Sequence, residues 1–240
     1  MQLCAQALQQ FDDTVQVPNY DRSDITVGIV HFGVGGFHRA HQAMYVDRLL
    51  RRGEAREWGI CGGRGVLPGD RRMKDVLDAQ DGLYTLALRH PDGTWDVSVI
   101  GSIVDYLFAP DHPEAVIEKI AAESTKIVSL TITEGGYNFT HDTGEFDAEN
   151  PDVVHDLTDG VAPRTTFGLV IEALARRRAR GLASPTIMSC DNIQATATWR
   201  ARCSCVRRIE GSRTGGVDAR GDVVPQLDGR PHHARHHPPR

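Results

Sequence analysis

The chain has 240 residues, 40% of them hydrophobic and 25% charged, which is enough apolar material for a sizeable core and excludes global disorder. No apolar run reaches the roughly 18–20 residues of a membrane span, and Met1–Gln10 has neither a basic start nor a long apolar stretch, so no secretory signal is expected. The net charge of -5 averages two unlike parts: residues 1–194 hold 18 Lys and Arg against 28 Asp and Glu, while residues 195–240 hold 9 Arg, no Lys and 4 acids.

The first predicted element is a strand at Asp24–Phe32, D-I-T-V-G-I-V-H-F, apolar on both faces as a buried parallel strand is. Gly33-Val34-Gly35-Gly36 follows at once, and Phe37–Arg52 carries the apolar stripe of one helix. A second short strand is expected at Trp58–Gly62, a loop at Gly62–Asp70 and a helix at Arg71–Gln80. Leu83–Arg89 and Thr94–Ile100 flank His90-Pro91-Asp92-Gly93, which is a hairpin signal. Pro113–Ser124 reads as a helix opened by proline, Lys126–Thr133 as a buried strand, Thr166–Arg180 as a helix ending at Gly181, and Pro185–Cys190 as a last strand. Alternating strands and helices predict an α/β fold, a Rossmann-like, mainly parallel sheet with helices on both faces. Residues 195–240 show no sustained period and predict a disordered tail. The expected division is an N-terminal segment 1–19, a domain 20–194 and the tail 195–240.

A glycine turn between a strand and a helix lets a pyrophosphate approach main-chain N–H groups, with the helix dipole in favour. Gly33, Gly35, Gly36 and the adjoining Phe37 are therefore candidate cofactor-binding residues; the third position of the usual glycine pattern is His38. An acidic residue is expected to hold the adenosine ribose, and Asp70 is the candidate. Arg71 and Arg72 beside it suit a 2′-phosphate instead, so NAD and NADP both stay open. His38 and His41 share a helix face and form at most half a metal site; no carboxylate or cysteine joins them at ligand spacing, so no metal is expected. With Arg39 they are alternatively candidates for touching phosphate or substrate. Ligands of open α/β sheets lie at the carboxyl ends of the strands. That makes Glu134 a candidate for the nicotinamide ribose or substrate, and Asn192 a candidate donor to a developing alkoxide. Cys190 is a weak candidate nucleophile. The five cysteines, Cys4, Cys61, Cys190, Cys203 and Cys205, are odd in number and irregularly spaced, which suits free thiols in a reducing cytoplasm.

Taken together, G-I-V-H-F-G-V-G-G-F-H-R-A-H-Q-A-M-Y (28–45), G-I-C-G (59–62), L-P-G-D-R-R-M (67–73), T-I-T-E-G-G-Y (131–137) and M-S-C-D-N-I (188–193) resemble the mannitol dehydrogenase family of zinc-independent polyol and sugar-acid dehydrogenases. The family includes mannitol 2-dehydrogenase and fructuronate reductase. The resemblance covers about residues 20–194 and implies hydride transfer between NAD(P) and a polyol or sugar acid. It implies that Gly33, Gly35 and Gly36 hold pyrophosphate, that Asp70 lies near the adenosine ribose and that Asn192 helps hold the reacting oxygen. It also implies a small-molecule partner, neither nucleic acid nor membrane, and full-length members that are monomers or dimers. Family members are roughly twice this length, and their general base is a lysine of a second, mostly helical domain. Here the lysines are Lys74, Lys119 and Lys126 alone. The expectation is thus a truncated, inactive chain, with a non-catalytic nucleotide-binding fragment as the alternative.

The family continues S-C-D-N-I with G-N-G-D. One permitted codon choice for Ala195–Arg200, reread in another frame, gives Gly-Asn-Gly-Asp-Val-Ala. Gln226–Ala234 reread likewise gives Asn-Ser-Met-Val-Asp-Arg-Ile-Thr, a downstream family segment. Residues 195–240 are accordingly expected to be out-of-frame translation, a reading tested by the DNA sequence across codon 194. The competing reading is that His232-His233 and His236-His237, with their Arg neighbours, bind metal or nucleic acid.

Overall fold

The structure is a computed structural model that describes residues 3–64, 69–140, 146–158 and 160–192. The tail, with its histidine pairs and its reading-frame question, lies outside the described residues. The chain begins with a 3-10 turn and a two-residue strand β1 (Val15–Gln16). The central strand β2 (Val27–Phe32) leads through the glycine turn into α1 (Gly36–Ala40) and α2 (Gln42–Arg51). Next come β3 (Gly59–Arg64), α3 (Gly69–Ala79), the hairpin strands β4 (Tyr84–Arg89) and β5 (Trp95–Ile100), and β6 (Ile103–Phe108). The second half contains α4 (Pro113–Ala121), β7 (Ile127–Leu130), the short α5 (Thr133–Gly136), α6 (Pro151–Asp156), α7 (Thr166–Ala179) and β8 (Thr186–Ser189).

Five strands form one parallel sheet in the order β6-β3-β2-β7-β8. The chain winds outward from β2 to β6, then crosses back to β7 and on to β8. The direction reverses between β2 and β7, which is where an open α/β sheet offers its ligand crevice. Parallel strands covered by helices on both sides must be apolar throughout, and β2 from Gly28 to Phe32 is fully buried. One core, with Val116, Ile117, Ile120, Val128, Leu130 and Leu169, packs α4 and α7 on one face. The other, with Ile29, Met44, Leu50, Ile60, Leu77 and Ile103, packs α2 and α3 on the opposite face. A smaller sheet, β1-β5-β4, is the predicted hairpin extended by the N-terminal segment, with β4 and β5 antiparallel and β1 parallel to β5.

Three expectations are corrected. The single helix over 37–52 is two helices, broken at His41 (φ -122°, ψ -87°). The strand predicted to end at Gly62 runs on to Arg64, and the helix after it starts already at Gly69. An unpredicted strand, β6, forms the edge beside β3; Asp105 interrupts its apolar run and is tolerated because Lys119 of α4 pairs with it at 2.7 Å.

Helix starts follow their local chemistry. α4 opens on Pro113. α7 is capped by Thr165, whose hydroxyl accepts from Gly168 N at 2.9 Å. The fully buried Asp156 sets that cap in place by accepting from Arg164 N, Thr165 N and the Thr165 hydroxyl.

The stretch leading from β1 into β2 is bound to the sheet through Asp47 of α2. This fully buried carboxylate accepts from the Tyr20 hydroxyl at 2.6 Å and from Gly101 N at 2.8 Å, and it pairs with Arg51. Burial first, then Asp47, pushes the Tyr20 phenol far up from its ordinary value. Arg22 adds hydrogen bonds to the carbonyls of Asp81, Gly101 and Ile103.

Candidate functional site

At the carboxyl end of β2 the backbone must reverse against the neighbouring strand. Gly33 does so at φ +101°, and a Cβ there would lie 1.9 Å from the Thr131 carbonyl oxygen, so no other residue fits without moving β7. Gly35 N donates back to Gly33 O at 2.6 Å, which tightens the turn. Gly36, by contrast, has nothing within 4 Å of where a Cβ would stand, and Gly35 meets only Gly33 O at 3.8 Å. The turn thus has one wall of packed protein and one open side. The open side lies at the start of α1. Gly33 shapes the loop, and Gly35 and Gly36 leave room beside it. Phe37 projects into solvent at 58% exposure and stacks on His41 at 4.5 Å.

The histidines separate. His41 is exposed, and its Nδ1 donates to Phe37 O at 2.8 Å. His38 is buried beneath the turn, stacked on His31 at 3.5 Å and an interplanar angle of 12°. Neither His38 nitrogen has a hydrogen-bond partner, which removes it from solvent-side contact with phosphate in this conformation. Arg39 turns toward α3, with hydrogen bonds to Gly35 O and to the Met73 sulfur. Among the described residues there is no group of three side chains able to hold a metal ion.

Burial, and next the ring of His31, pull the His38 pKa from 6.5 down to about 2. A histidine kept neutral when folded but ordinary when unfolded contributes stability that is complete above about pH 6.5 and drains away as pH falls toward 2. Between pH 6.5 and 5 its contribution is expected to fall with a slope that steepens from about 0.7 to about 1.4 kcal/mol per pH unit. In His38→Phe, which keeps the stacked ring, urea unfolding midpoints measured across this range should be flatter than in the parent chain.

The carboxyl ends of β7 and β8 meet beside the turn. Asp191 accepts from Ile132 N at 2.9 Å, from Thr133 N and from the Tyr137 hydroxyl at 2.9 Å. The Tyr137 hydroxyl also contacts Ser189 Oγ at 2.6 Å. Thr133 is held at φ +57°, an uncommon conformation for a β-branched residue and a form of strain that concentrates at functional sites. These ties put the start of α5, where Glu134 lies, next to the exposed Asn192 at the end of β8. The side chains of Glu134 and of Asp70, at the start of α3, lie outside the described residues. Arg71 is engaged away from any ligand: it pairs with Asp111 at 2.6 Å and its guanidinium lies over the Phe108 ring. Arg72 is exposed. Burial and then Asp191 raise the Cys190 thiol, which leaves it protonated and a poor nucleophile.

An open, mostly apolar groove of about 420 Å³ runs from this edge along α2, lined among others by Phe37, His38, Tyr45, Leu49, Met188 and Cys190. A second cavity of about 490 Å³ lies on the α4/α7 side, among Pro113, Asn138, His155, Arg164 and Thr166. The sequence reading did not single out His31, Thr131, Ser129 or Asp191, the residues that brace the turn and join the two strand ends.

Residues 27–203 match the model of the mannitol dehydrogenase Rossmann domain, past the boundary expected at 194. Mannitol 2-dehydrogenase of Pyricularia oryzae is 49% identical over 186 residues, covering 77% of this chain and 37% of its own length. Its counterpart in Aspergillus terreus is 50% identical over 193 residues, again with 38% of its length covered. The Pseudomonas fluorescens mannitol 2-dehydrogenase structure, a ternary complex with NAD and D-mannitol, superposes with a TM-score of 0.77 at 43% identity, over 88% of this chain and 42% of that one. A substrate-free D-sorbitol dehydrogenase superposes with a TM-score of 0.74 at 42% identity, covering 89% and 43% of the two chains. The chain therefore spans less than half the length of each of these relatives.

Proposed function

The chain belongs to the mannitol dehydrogenase family as its Rossmann domain, and from that premise we propose that residues 20–194 bind NAD and that the 240-residue chain does not turn a polyol over. The observation that carries the first part is the one-sided glycine turn: Gly33 jammed against Thr131, Gly36 open to a ligand. When bound, the dinucleotide supplies the hydride acceptor. This chain's residues would seat its pyrophosphate on Gly35, Gly36 and the start of α1, its adenosine ribose beside Asp70, and its nicotinamide end toward Glu134 and Asn192. NAD is favoured over NADP because Arg71, the cation nearest in sequence to Asp70, is already paired with Asp111. The substrate class is a polyol such as mannitol, by likeness to relatives of that activity; a sugar acid of the fructuronate type is the second member of the same class. Three described cysteines, Cys4, Cys61 and Cys190, are free thiols, in keeping with a cytoplasmic protein. Among the described residues no helix is long and apolar enough to cross a membrane.

Hydride removal from a secondary alcohol needs a base for the hydroxyl proton. None of the three lysines is at the crevice. Lys74 pairs with Asp78 on α3, Lys119 with Asp105, and Lys126 stands at the amino end of β7, opposite the glycine turn. Asn192 can hold an oxygen but takes no proton. The expected result is saturable NADH binding, read by fluorescence or calorimetry, with no NAD reduction on mannitol, sorbitol or gluconate-type substrates. Measurable turnover by the purified chain would overturn the second part, and absence of NADH binding would overturn the first.

A further inference from the structure

The glycine turn is braced from below by a buried chain of hydrogen bonds that joins β2, β7 and α2. His31 of β2 is fully buried. Its Nε2 is 3.1 Å from both Gly33 O and Thr131 Oγ1, and its Nδ1 is 2.8 Å from Ser129 Oγ. Ser129, also fully buried, has its Oγ 3.0 Å from Gln42 Oε1. The Thr131 hydroxyl donates to Gly33 O at 2.6 Å.

The contact with the Gly33 carbonyl selects the nitrogen that must carry a proton. A carbonyl has no hydrogen to give, so bonding between His31 and Gly33 O requires Nε2–H. Thr131 spends its own proton on Gly33 O, so its oxygen accepts from Nε2–H as well. A neutral ring then leaves Nδ1 as an acceptor, and Ser129 must donate to it. Having given its proton to Nδ1, Ser129 cannot also donate to Gln42 Oε1, so this tautomer requires the Gln42 amide turned over, with its NH₂ group facing Ser129. Amide orientation follows from the network and is not fixed by the heavy-atom positions. With the amide so turned, the order of donation is Gln42 to Ser129, Ser129 to His31, and His31 to Gly33 O. The stacked His38 ring closes the exposed side of the imidazole.

We infer that His31, with its tautomer set by Ser129, is a positioning residue for the cofactor-binding turn: it fixes the Gly33 carbonyl, to which the Gly35 N–H is tied, and so leaves the N–H of Gly36 at the open side. The inference rests on the dinucleotide reading of the turn. Gly33 O takes bonds from His31, Thr131 and Gly35 N, and the last of these is part of the turn itself. Losing the His31 donor turns a close N–H···O contact into two facing lone pairs and frees the peptide to rotate. A fully buried histidine whose only role is to fill space would be indifferent to its tautomer.

The test uses the 240-residue chain with ¹⁵N-labelled histidine. Long-range ¹H–¹⁵N spectra should show His31 protonated at Nε2. A ring protonated at Nδ1, or exchanging between both forms, overturns the inference whether or not a dinucleotide binds. In Ser129→Ala the ring is expected to exchange between tautomers, and NADH affinity to fall about three- to tenfold, the worth of one hydrogen bond. Ser129→Cys, which retains a weak donor, should lie between. Lowered thermal stability in Ser129→Ala with tautomer and affinity unchanged would mean a merely structural role and overturn the inference. Parent and Ser129→Ala chains binding NADH equally would also overturn it, while leaving the dinucleotide reading intact. A parent chain that binds no NADH overturns that reading and the positioning role together.

Discussion

Gly33→Ala is expected to destabilise the domain by about 2–4 kcal/mol, through overpacking and an unfavourable backbone conformation, and to abolish NADH binding. The added methyl would stand 1.9 Å from the Thr131 carbonyl oxygen and 2.7 Å from its carbon, at φ +101°. Neither contact is with a flexible side chain, so relief requires β7 to move away from β2 at the centre of the sheet. Gly36→Ala is the informative partner. Nothing lies within 4 Å of its Cβ position, so stability should stay within about 0.5 kcal/mol of the parent. NADH affinity should nonetheless fall about tenfold or more, because the methyl points into the space a pyrophosphate would use. Thermal melts and NADH titration on the two variants separate the two roles of the turn. A Gly36→Ala chain with parental affinity would move the ligand elsewhere.

The second large effect is expected at Asp47. Asp47→Ala leaves the Tyr20 hydroxyl and Gly101 N without their acceptor and strands Arg51, whose side chain is only 14% exposed. Uncompensated buried charge after loss of one partner costs about 3–5 kcal/mol, a large share of the 5–15 kcal/mol of an ordinary domain. Arg51 also holds the Val99 carbonyl at 2.6 Å, so the hairpin should loosen together with the N-terminal segment. Chemical denaturation should show the loss, and limited proteolysis should cut first near residues 12–20. Asp47→Asn keeps an acceptor and should lose less. Asp47→Ala combined with Arg51→Met should recover part of the loss, since no charge is then left unpaired. Equal stability of the single and double variants would contradict the network.

How far the sequence carried depended on whether the deciding interactions were local. Val27–Phe32 and Ile127–Leu130 were legible because strands buried on both faces must be apolar at every position. The hairpin was legible because His90–Gly93 carries its turn chemistry within four residues. β6 was not, because Asp105 broke its pattern and its partner Lys119 lies on the next helix. The break at His41 escaped notice because apolar residues on either side of it keep the helical period. In the candidate site, Gly33 and Gly36 were found as a motif, yet only the packing against Thr131 separates a loop-shaping glycine from one with open space beside it. Asp191 stands inside the M-S-C-D-N-I segment with nothing in its spacing to single it out. It is the clasp between Ile132 and Tyr137. Contacts such as His31 to Ser129 join residues distant in the chain, which no spacing rule could reveal.

That same distance has a consequence for synthesis. β2 is the middle strand of the sheet, and its partner on one side is β7, with Ile29 opposite Ile127 and His31 touching Ser129, 98 residues further on. At about 5–20 residues per second, a ribosome takes roughly 5–20 s to cover that interval. Throughout it one edge of this buried central strand has no neighbour, and unpaired strand edges of that kind recruit other chains. The half-made domain is therefore expected to depend on chaperones that bind extended apolar segments, and to release them only when the strand beginning at Ile127 has emerged.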